Sequence, residues 1–395
     1  MQDIWDVIDV DTYLASIVNE DNIEEHLIQE ARWKVSYRDT QFNQRGMMDR
    51  YHRAMELDER SLDWEDLGVS DQAIETLGNN GITQQQLHQF FAHPTILTAN
   101  NNLFEHYRTL AGVSDNRLRD IGSVRSAVRQ LRNDNQRVTE TEELRRLCRF
   151  FNSLISTWAS SLTDDDPEAR ALISVALTEG SAIEGSSRNA GGRKAVVNVG
   201  SVIVEDLWEH DQLESFRFKL TSGDSFKTVP VSLVGEEHTI SEISGAYAIE
   251  KITATNGGEV AFTEPDMIVR SPRGVEGFGE IKDRKDTSNQ WEGWLPLIRS
   301  KLEDFKDRNP DAKRIMIQPV YTERMIHGER GSDARDVGIR DFILEDDLLD
   351  VPFNMSQMLA DEDVRDFFGS YIRYLMGLTD SFEYRRVPET ADSQG

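Results

Sequence analysis

Near residue 216 the hydrophobic period of this 395-residue chain changes, and the change limits the folds open to it. Before that point apolar residues recur at helical spacing, as in IWDVIDVDTYLASIV with Ile4, Ile8, Leu14 and Ile17. The same style predicts helices over 46–57, 71–78, 83–92, 101–111, 120–132 and 141–161, with breaks at Gly68, Gly78 to Gly81, His93-Pro94 and Gly112. Leu147, Phe151, Leu154 and Trp158 are expected to form the apolar stripe of the helix that Thr141 starts. Asp166-Pro167 begins another helix, with Asp as cap and Pro at the first turn. A Gly/Ser-rich loop, GSAIEGSSRNAGG, is expected to separate it from a second helix over about 192–210.

After the change the pattern is that of strands. RFKLTS, KTVPVSLVG and AYAIEKITAT alternate or are rich in β-branched residues. Asn256-Gly257-Gly258 makes a tight hairpin turn. Strands are expected at about 245–254, 259–270 and 277–284, then a helix at 288–308 despite Pro296, then a strand at 314–322. The expectation is an α/β (α+β) chain: helix, three-stranded antiparallel meander, helix and further strand, behind a helical N-terminal region. Its parts would be a helical region 1–165, a core 166–328, C-terminal helices and loops 329–386, and a disordered tail 387–395.

Composition narrows the function classes. No apolar run approaches the ~20 residues of a membrane span, and MQDIWDVIDVD lacks the basic-then-apolar layout of a signal peptide. A cytoplasmic location is the expectation. One cysteine, Cys148, excludes an intrachain disulfide and a cysteine-based zinc cluster. His88, His93 and His106 have no metal-ligand spacing and read as core or surface residues. The basic runs 132–137 and 145–149 could touch phosphate, but a solvated helix face is the simpler reading.

The formal charge is −27, the wrong sign for a chain that binds phosphate, so either the chain does not bind DNA at all or it comes from a cytoplasm of very high salt. Only ten of its 44 basic residues are lysines. That bias toward Arg, Asp and Glu is the habit of proteins from a very salty cytoplasm, where the Debye length falls to about 3 Å at 1 M. Any nucleic-acid face must then be a basic island on an acidic body.

One stretch carries chemistry: FTEPDMIVRSPRGVEGFGEIKDRKDTSNQWEGW, from Phe262 to Trp294. Glu280 and Lys282 share a face of one strand, since residues i and i+2 do so. A hairpin symmetric about Gly274 would set Asp266 opposite Lys282 and diagonal to Glu280. Two carboxylates and an amine would then converge. Phosphodiester hydrolysis needs a poised water, charge neutralisation at phosphorus and help for the leaving oxygen. Mg²⁺ suits this, as a hard cation that takes carboxylate oxygens and keeps several waters. Asp266, Glu280 and the carbonyl of Ile281 are the expected ligands. Lys282 would orient or deprotonate water, or stabilise the phosphate. Glu179, Glu184 and Glu205 are further acids on the helical side.

Pro265-Asp266 with Glu280-x-Lys282, in this strand order, resembles the PD-(D/E)XK nuclease superfamily. The runs GEIKDRKDTSNQWEGWLP, KLEDF and YTERMIHG, and upstream HPTILTANNNLFEHYRTLAGVSD, are similar to type II restriction endonucleases, most nearly an XcyI-type group. The likeness covers about residues 90–345. It implies a restriction-endonuclease-like core and Mg²⁺-dependent cutting of double-stranded DNA at a short palindrome. It also implies a homodimer, and a cognate DNA methyltransferase encoded nearby. Many superfamily members place a glutamate midway along the first helix, where this chain has Asn198; that removes one ligand for a second metal.

Candidate DNA contacts are Arg284, Lys285, Ser288 and Asn289 after the motif, and Arg188, Arg193 and Lys194 about the Gly/Ser-rich loop. Arg324, Arg330, Arg335 and Arg340, with Arg270 and Arg273, are candidates for base readout, as Arg pairs well with guanine. In a chain this acidic each arginine also has the simpler role of a surface ion pair. Trp291 and Trp294 are expected to pack the following helix on the sheet. Two other readings stand beside restriction: a structure-specific repair or recombination nuclease of the same fold, and a catalytically silent DNA-binding scaffold. The sequence has no Walker-type phosphate loop, so ATP-driven translocation is not expected of it.

Overall fold

The computed structural model describes residues 4–19, 23–133, 137–162, 166–233, 243, 245–263, 266–283, 290–328 and 337–384. It is mixed α/β: a helical N-terminal region, then an eight-stranded mixed sheet interleaved with helices. The helical part runs α1 (Val10–Ile17), α2 (Ile23–Arg45), α3 (Met47–Met55), α4 (Asp71–Asn79), α5 (Pro94–Ala99), α6 (Phe104–Leu110), α7 (Asp115–Asp120), α8 (Arg125–Leu131), α9 (Glu142–Ala159) and α10 (Pro167–Glu209). Strands β1 (Leu213–Lys219), β2 (Lys227–Pro230), β3 (Ala248–Ala254), β4 (Glu259–Ala261), β5 (Met267–Ser271) and β6 (Gly274–Ile281) follow. The chain continues through α11 (Gln290–Arg308), β7 (Lys313–Gln318), α12 (Glu323–His327), α13 (Ile339–Leu344), β8 (Val351–Asn354), α14 (Met355–Ala360) and α15 (Glu362–Leu375).

Two compact units result: Arg32–Arg188, and Met1–Ala31 together with Asn189–Gly395. The boundary read from the sequence, at 165/166, is the start of α10; the units divide within that helix.

The Arg32–Arg188 unit is built round α9. The Thr141 side chain accepts the amide of Leu144 and caps the helix. Leu144, Leu147, Phe151, Ile155 and Ala159 are buried along one face. The expected stripe is thus right at Leu147 and Phe151 and wrong at Leu154, which is exposed. The buried face steps by four residues, and Ile155 takes the inward place. Asn152 is buried among these and fully used: its oxygen accepts Ala92 N at 2.7 Å, and its amide donates to Leu67 O and Ala92 O at 2.9 Å. One side chain therefore ties two loops to the helix.

In the other unit the sheet order is β2-β1-β3-β4-β5-β6-β7-β8. Neighbours from β2 to β6 are antiparallel, and β6, β7 and β8 are parallel. Parallel neighbours need a crossover, and α11 supplies the one from β6 to β7. Its Ile298, Leu302 and Phe305 are buried at helical spacing, and Phe305 stacks on Phe278 of β6 at 5.1 Å. Ala195, Val199, Val202, Ile203 and Leu207 of α10 belong to the same core as Phe216, Ile249 and Ile252. Gly200 permits a close approach here, since a Cβ there would fall 2.7 Å from Ile249 Cδ1. The amino-terminal segment belongs to this unit as well. Tyr13 Oη donates to Pro352 O at 2.6 Å, and Asn354 Nδ2 donates to Ile17 O at 2.8 Å.

Three sequence expectations are corrected. The segment 259–270 is not one strand but two, β4 and β5, paired antiparallel with Val260 opposite Val269. Its sequence carries a breaker, because Pro265 has no amide to give a ladder. The expected helix–loop–helix over 166–210 is one helix, α10. Glycine in a helix costs roughly 1 kcal/mol relative to alanine, and the apolar face of Ala195 to Leu207 against the sheet outweighs that cost. Finally, 329–385 contains a strand, β8, as well as helices and loops. The tail 387–395 lies outside the described residues.

Candidate functional site

The site lies where the β5–β6 hairpin meets the parallel strand β7. The hairpin turns about Pro272-Arg273, with Ser271 opposite Gly274. Ser271 Oγ accepts the Arg273 amide at 3.0 Å and donates to Glu276 Oε1 at 2.6 Å. A register shift between Val269 and Arg270 leaves Glu276 as the extra residue of β6, and Met267 then pairs with Gly279. Continuing that register sets Asp266 across from Glu280. The expected opposition of Asp266 to Lys282 is therefore corrected by two residues, because the turn is centred ahead of Gly274 and the strand carries a bulge.

The three expected residues still converge. Glu280 is 1 % exposed, and both Lys282 and Lys301 approach its Oε1. The Lys301 ammonium donates to Oε1 at 2.7 Å and to Oε2 at 3.0 Å. Lys282 Nζ also lies 3.8 Å from Asp266 Oδ2. That carboxylate oxygen accepts the Ile281 amide at 3.0 Å. The Lys282 amide, one residue on, donates to Ile317 O of β7 at 2.8 Å. The two ends of a trans peptide point opposite ways, so the Ile281 carbonyl faces the Asp266 side.

Burial raises the Asp266 carboxyl above its ordinary range, and the charge of Glu280 raises it further. The Ile281 amide and the ammoniums of Lys282 and Lys301 pull it down. Two acids this close, one of them buried, call for positive charge. The two lysines supply it in the protein alone. The donor set also fits Mg²⁺, which is commonly held by one or two carboxylates with several waters retained. Among the described residues no group of three or more acids, histidines or cysteines has the arrangement of a metal site. The fit therefore rests on Asp266, Glu280 and the Ile281 carbonyl.

Lys301 had no assigned role in the sequence. Its signal was present: it begins the run KLEDF and falls three residues after the buried Ile298, beside the sheet-facing stripe of α11. Only the crossover of α11 brings it to Glu280. Gly191 of α10 also reaches this edge, where a Cβ would meet the Asp283 carboxylate.

The other candidates separate. Glu179 is buried and paired with Arg45 and Arg50, both at 2.9 Å, inside the Arg32–Arg188 unit. Glu184 pairs there with Arg38 at 2.7 Å and Arg188 at 3.8 Å. Glu205 and Asn198 are half-buried on α10. Arg340 holds Asp11 with two hydrogen bonds, Arg270 pairs with Glu259 at 2.8 Å, and Arg273 lies 3.5 Å from Glu276. Arg193 stacks over Tyr247, and Arg324 is half-buried in α12. In the basic runs, Arg132 pairs with Asp115 and Arg145 with Glu140. Arg284, Lys285, Ser288, Asn289, Arg330 and Arg335 lie outside the described residues, as do Pro265 and the side chains of Trp291 and Trp294.

No family model matches the chain, and no curated protein matches it.

Proposed function

We propose that this chain is a Mg²⁺-dependent, sequence-specific endonuclease of double-stranded DNA with a restriction-endonuclease-like core of the PD-(D/E)XK type. The observation that carries the reading is the convergence of Asp266, Glu280 and Lys282 at the junction of an antiparallel hairpin with a parallel strand. The helix before the sheet and the crossover helix after β6 support it.

Asp266, Glu280 and the Ile281 carbonyl would hold the metal. Bound there, Mg²⁺ would neutralise phosphate charge and lower the pKa of a water. Asp266 is fixed by the Ile281 amide, so it presents a preset oxygen rather than a mobile side chain. Lys282 carries its ammonium between the two acids, within reach of water attacking the phosphorus or of charge developing on it. The products are a 5′-phosphate and a 3′-hydroxyl. Cutting both strands of a palindrome calls for two such sites, hence a homodimer, and protection of the host DNA calls for a cognate methyltransferase encoded nearby. The work belongs in the cytoplasm; among the described residues no helix is long and apolar enough to cross a membrane.

The test is incubation of the purified protein with unmethylated plasmid and Mg²⁺ at low and high salt. Discrete fragments are the expected result. A smear, or cutting of branched DNA alone, would replace restriction by a structure-specific activity. Intact plasmid under every condition would overturn both.

A further inference from the structure

We propose that Lys301 is a built-in counter-cation of the candidate metal site, holding Glu280 when no divalent ion is bound and competing with Mg²⁺ for it. The inference rests on the metal-site reading above.

Glu280 is almost wholly buried, so its charge has little help from water. Lys282 approaches one of its oxygens, whereas Lys301 bridges both. That carboxylate is one of the groups that would hold a metal. The two lysines stand differently in the chain. Lys282 is tied by its own amide to β7, two residues from Glu280. Lys301 arrives from α11, 21 residues along, on a long side chain that is 39 % exposed. It can withdraw its ammonium into water without moving the backbone. A chain with 34 arginines and ten lysines places two of those ten at a single carboxylate. An ammonium is a compact charge on a flexible stem, unlike the planar fork that arginine locks onto a carboxylate. It is therefore the releasable choice for this position.

The consequence is a coupling of opposite signs. Removing the Lys301 charge should weaken the metal-free fold, because a buried carboxylate loses a partner. It should also strengthen Mg²⁺ binding, because a competing cation is gone. Isothermal titration of Mg²⁺ into the full chain without DNA reads the second effect, and thermal melting with and without Mg²⁺ reads the first. Lys301→Met should bind Mg²⁺ about tenfold more tightly than the unaltered chain, as expected when one positive charge leaves the vicinity of the ion. Its melting temperature should fall without metal and return toward that of the unaltered chain at saturating Mg²⁺. Lys301→Arg should keep the affinity within about threefold, since the charge is retained. Binding that is unchanged or weaker in Lys301→Met, with Mg²⁺ still bound by the unaltered chain, would overturn the counter-cation and leave the metal site standing. If neither protein takes up Mg²⁺, the metal-site reading fails and this inference with it. Asp266→Asn should lose Mg²⁺ binding, which locates the measured ion at this site.

Discussion

Glu280 concentrates the chemistry of the molecule in one side chain. It is buried, it faces two ammoniums, and its charge raises the neighbouring Asp266. Glu280→Ala should cut DNA cleavage by roughly a thousandfold, the equivalent of about 4 kcal/mol of lost transition-state stabilisation at a metal site. The fold should survive, because Lys282 and Lys301 are 27 % and 39 % exposed and can turn to water. Gel assays beside circular dichroism decide this; full activity would remove Glu280 from the site. A second residue-scale prediction concerns His106. Burial lowers its pKa to about 4 from the ordinary 6.5. One nitrogen meets Gln89 O at 3.0 Å, and Nδ1 is buried without a hydrogen-bond partner among the described residues. The unfolded chain therefore takes a proton near pH 6.5, and the folded chain does not until about pH 4. Stability is undiminished by this group above pH 6.5, and falls as the pH drops through that window by about 3 kcal/mol. Denaturant unfolding of His106→Gln should show a correspondingly shallower decline between pH 6.5 and 4; an unchanged slope would refute the linkage.

At the scale of elements, α10 shows how packing overrides local preference. Its glycines read as a loop, yet the helix is continuous from Pro167 to Glu209. The glycines differ in what surrounds them. Among the described residues nothing lies within contact of a Cβ placed at Gly180, Gly185 or Gly192, whereas a Cβ at Gly200 would press on Ile249 and Phe262. Gly180→Ala, Gly185→Ala or Gly192→Ala should each stabilise the chain by about 0.5–1 kcal/mol through helix propensity. Gly200→Ala should destabilise it by about 1–3 kcal/mol through overpacking. Denaturant titrations check both signs, and equal effects at all four positions would mean that the close approach at Gly200 is not what limits substitution. The hairpin teaches the same lesson in a sheet. That a turn joins its two strands was legible, but the turn's centre and the bulge at Glu276 were not, and together they decide which side chain stands opposite Asp266.

On the scale of the whole molecule, 71 acids stand against 44 basic residues, and many arginines are spent on them: Arg340 on Asp11, Arg38 on Glu184, Arg45 and Arg50 on Glu179. The remaining acid excess repels itself and is screened by salt. Raising KCl from about 0.1 M to about 2 M should raise the melting temperature, as the Debye length shrinks from about 10 Å toward 3 Å. A flat or falling curve in scanning fluorimetry would show that local ion pairs already cancel the repulsion. If the chain works in high salt, cleavage should persist in the same range, where most phosphate contacts weaken by counterion competition.

Sequence alone determined the broad layout, a helical N-terminal part, then a strand-rich part, then a helix with a further strand behind it, and it singled out Asp266, Glu280 and Lys282 as one candidate set. These follow from short-range rules: periodicity, caps, turn residues and the spacing of two residues on one strand face. Tertiary structure decided what depends on distant partners. The Gly/Ser-rich stretch became helix because α10 has a sheet to lie on, and the pairing of β4 with β5 split an expected single strand. Glu179 and Glu184 went to arginines of their own unit. Lys301 reached Glu280 because the crossover from β6 to β7 carries α11 back over the strand ends, a contact that no local pattern in the chain encodes.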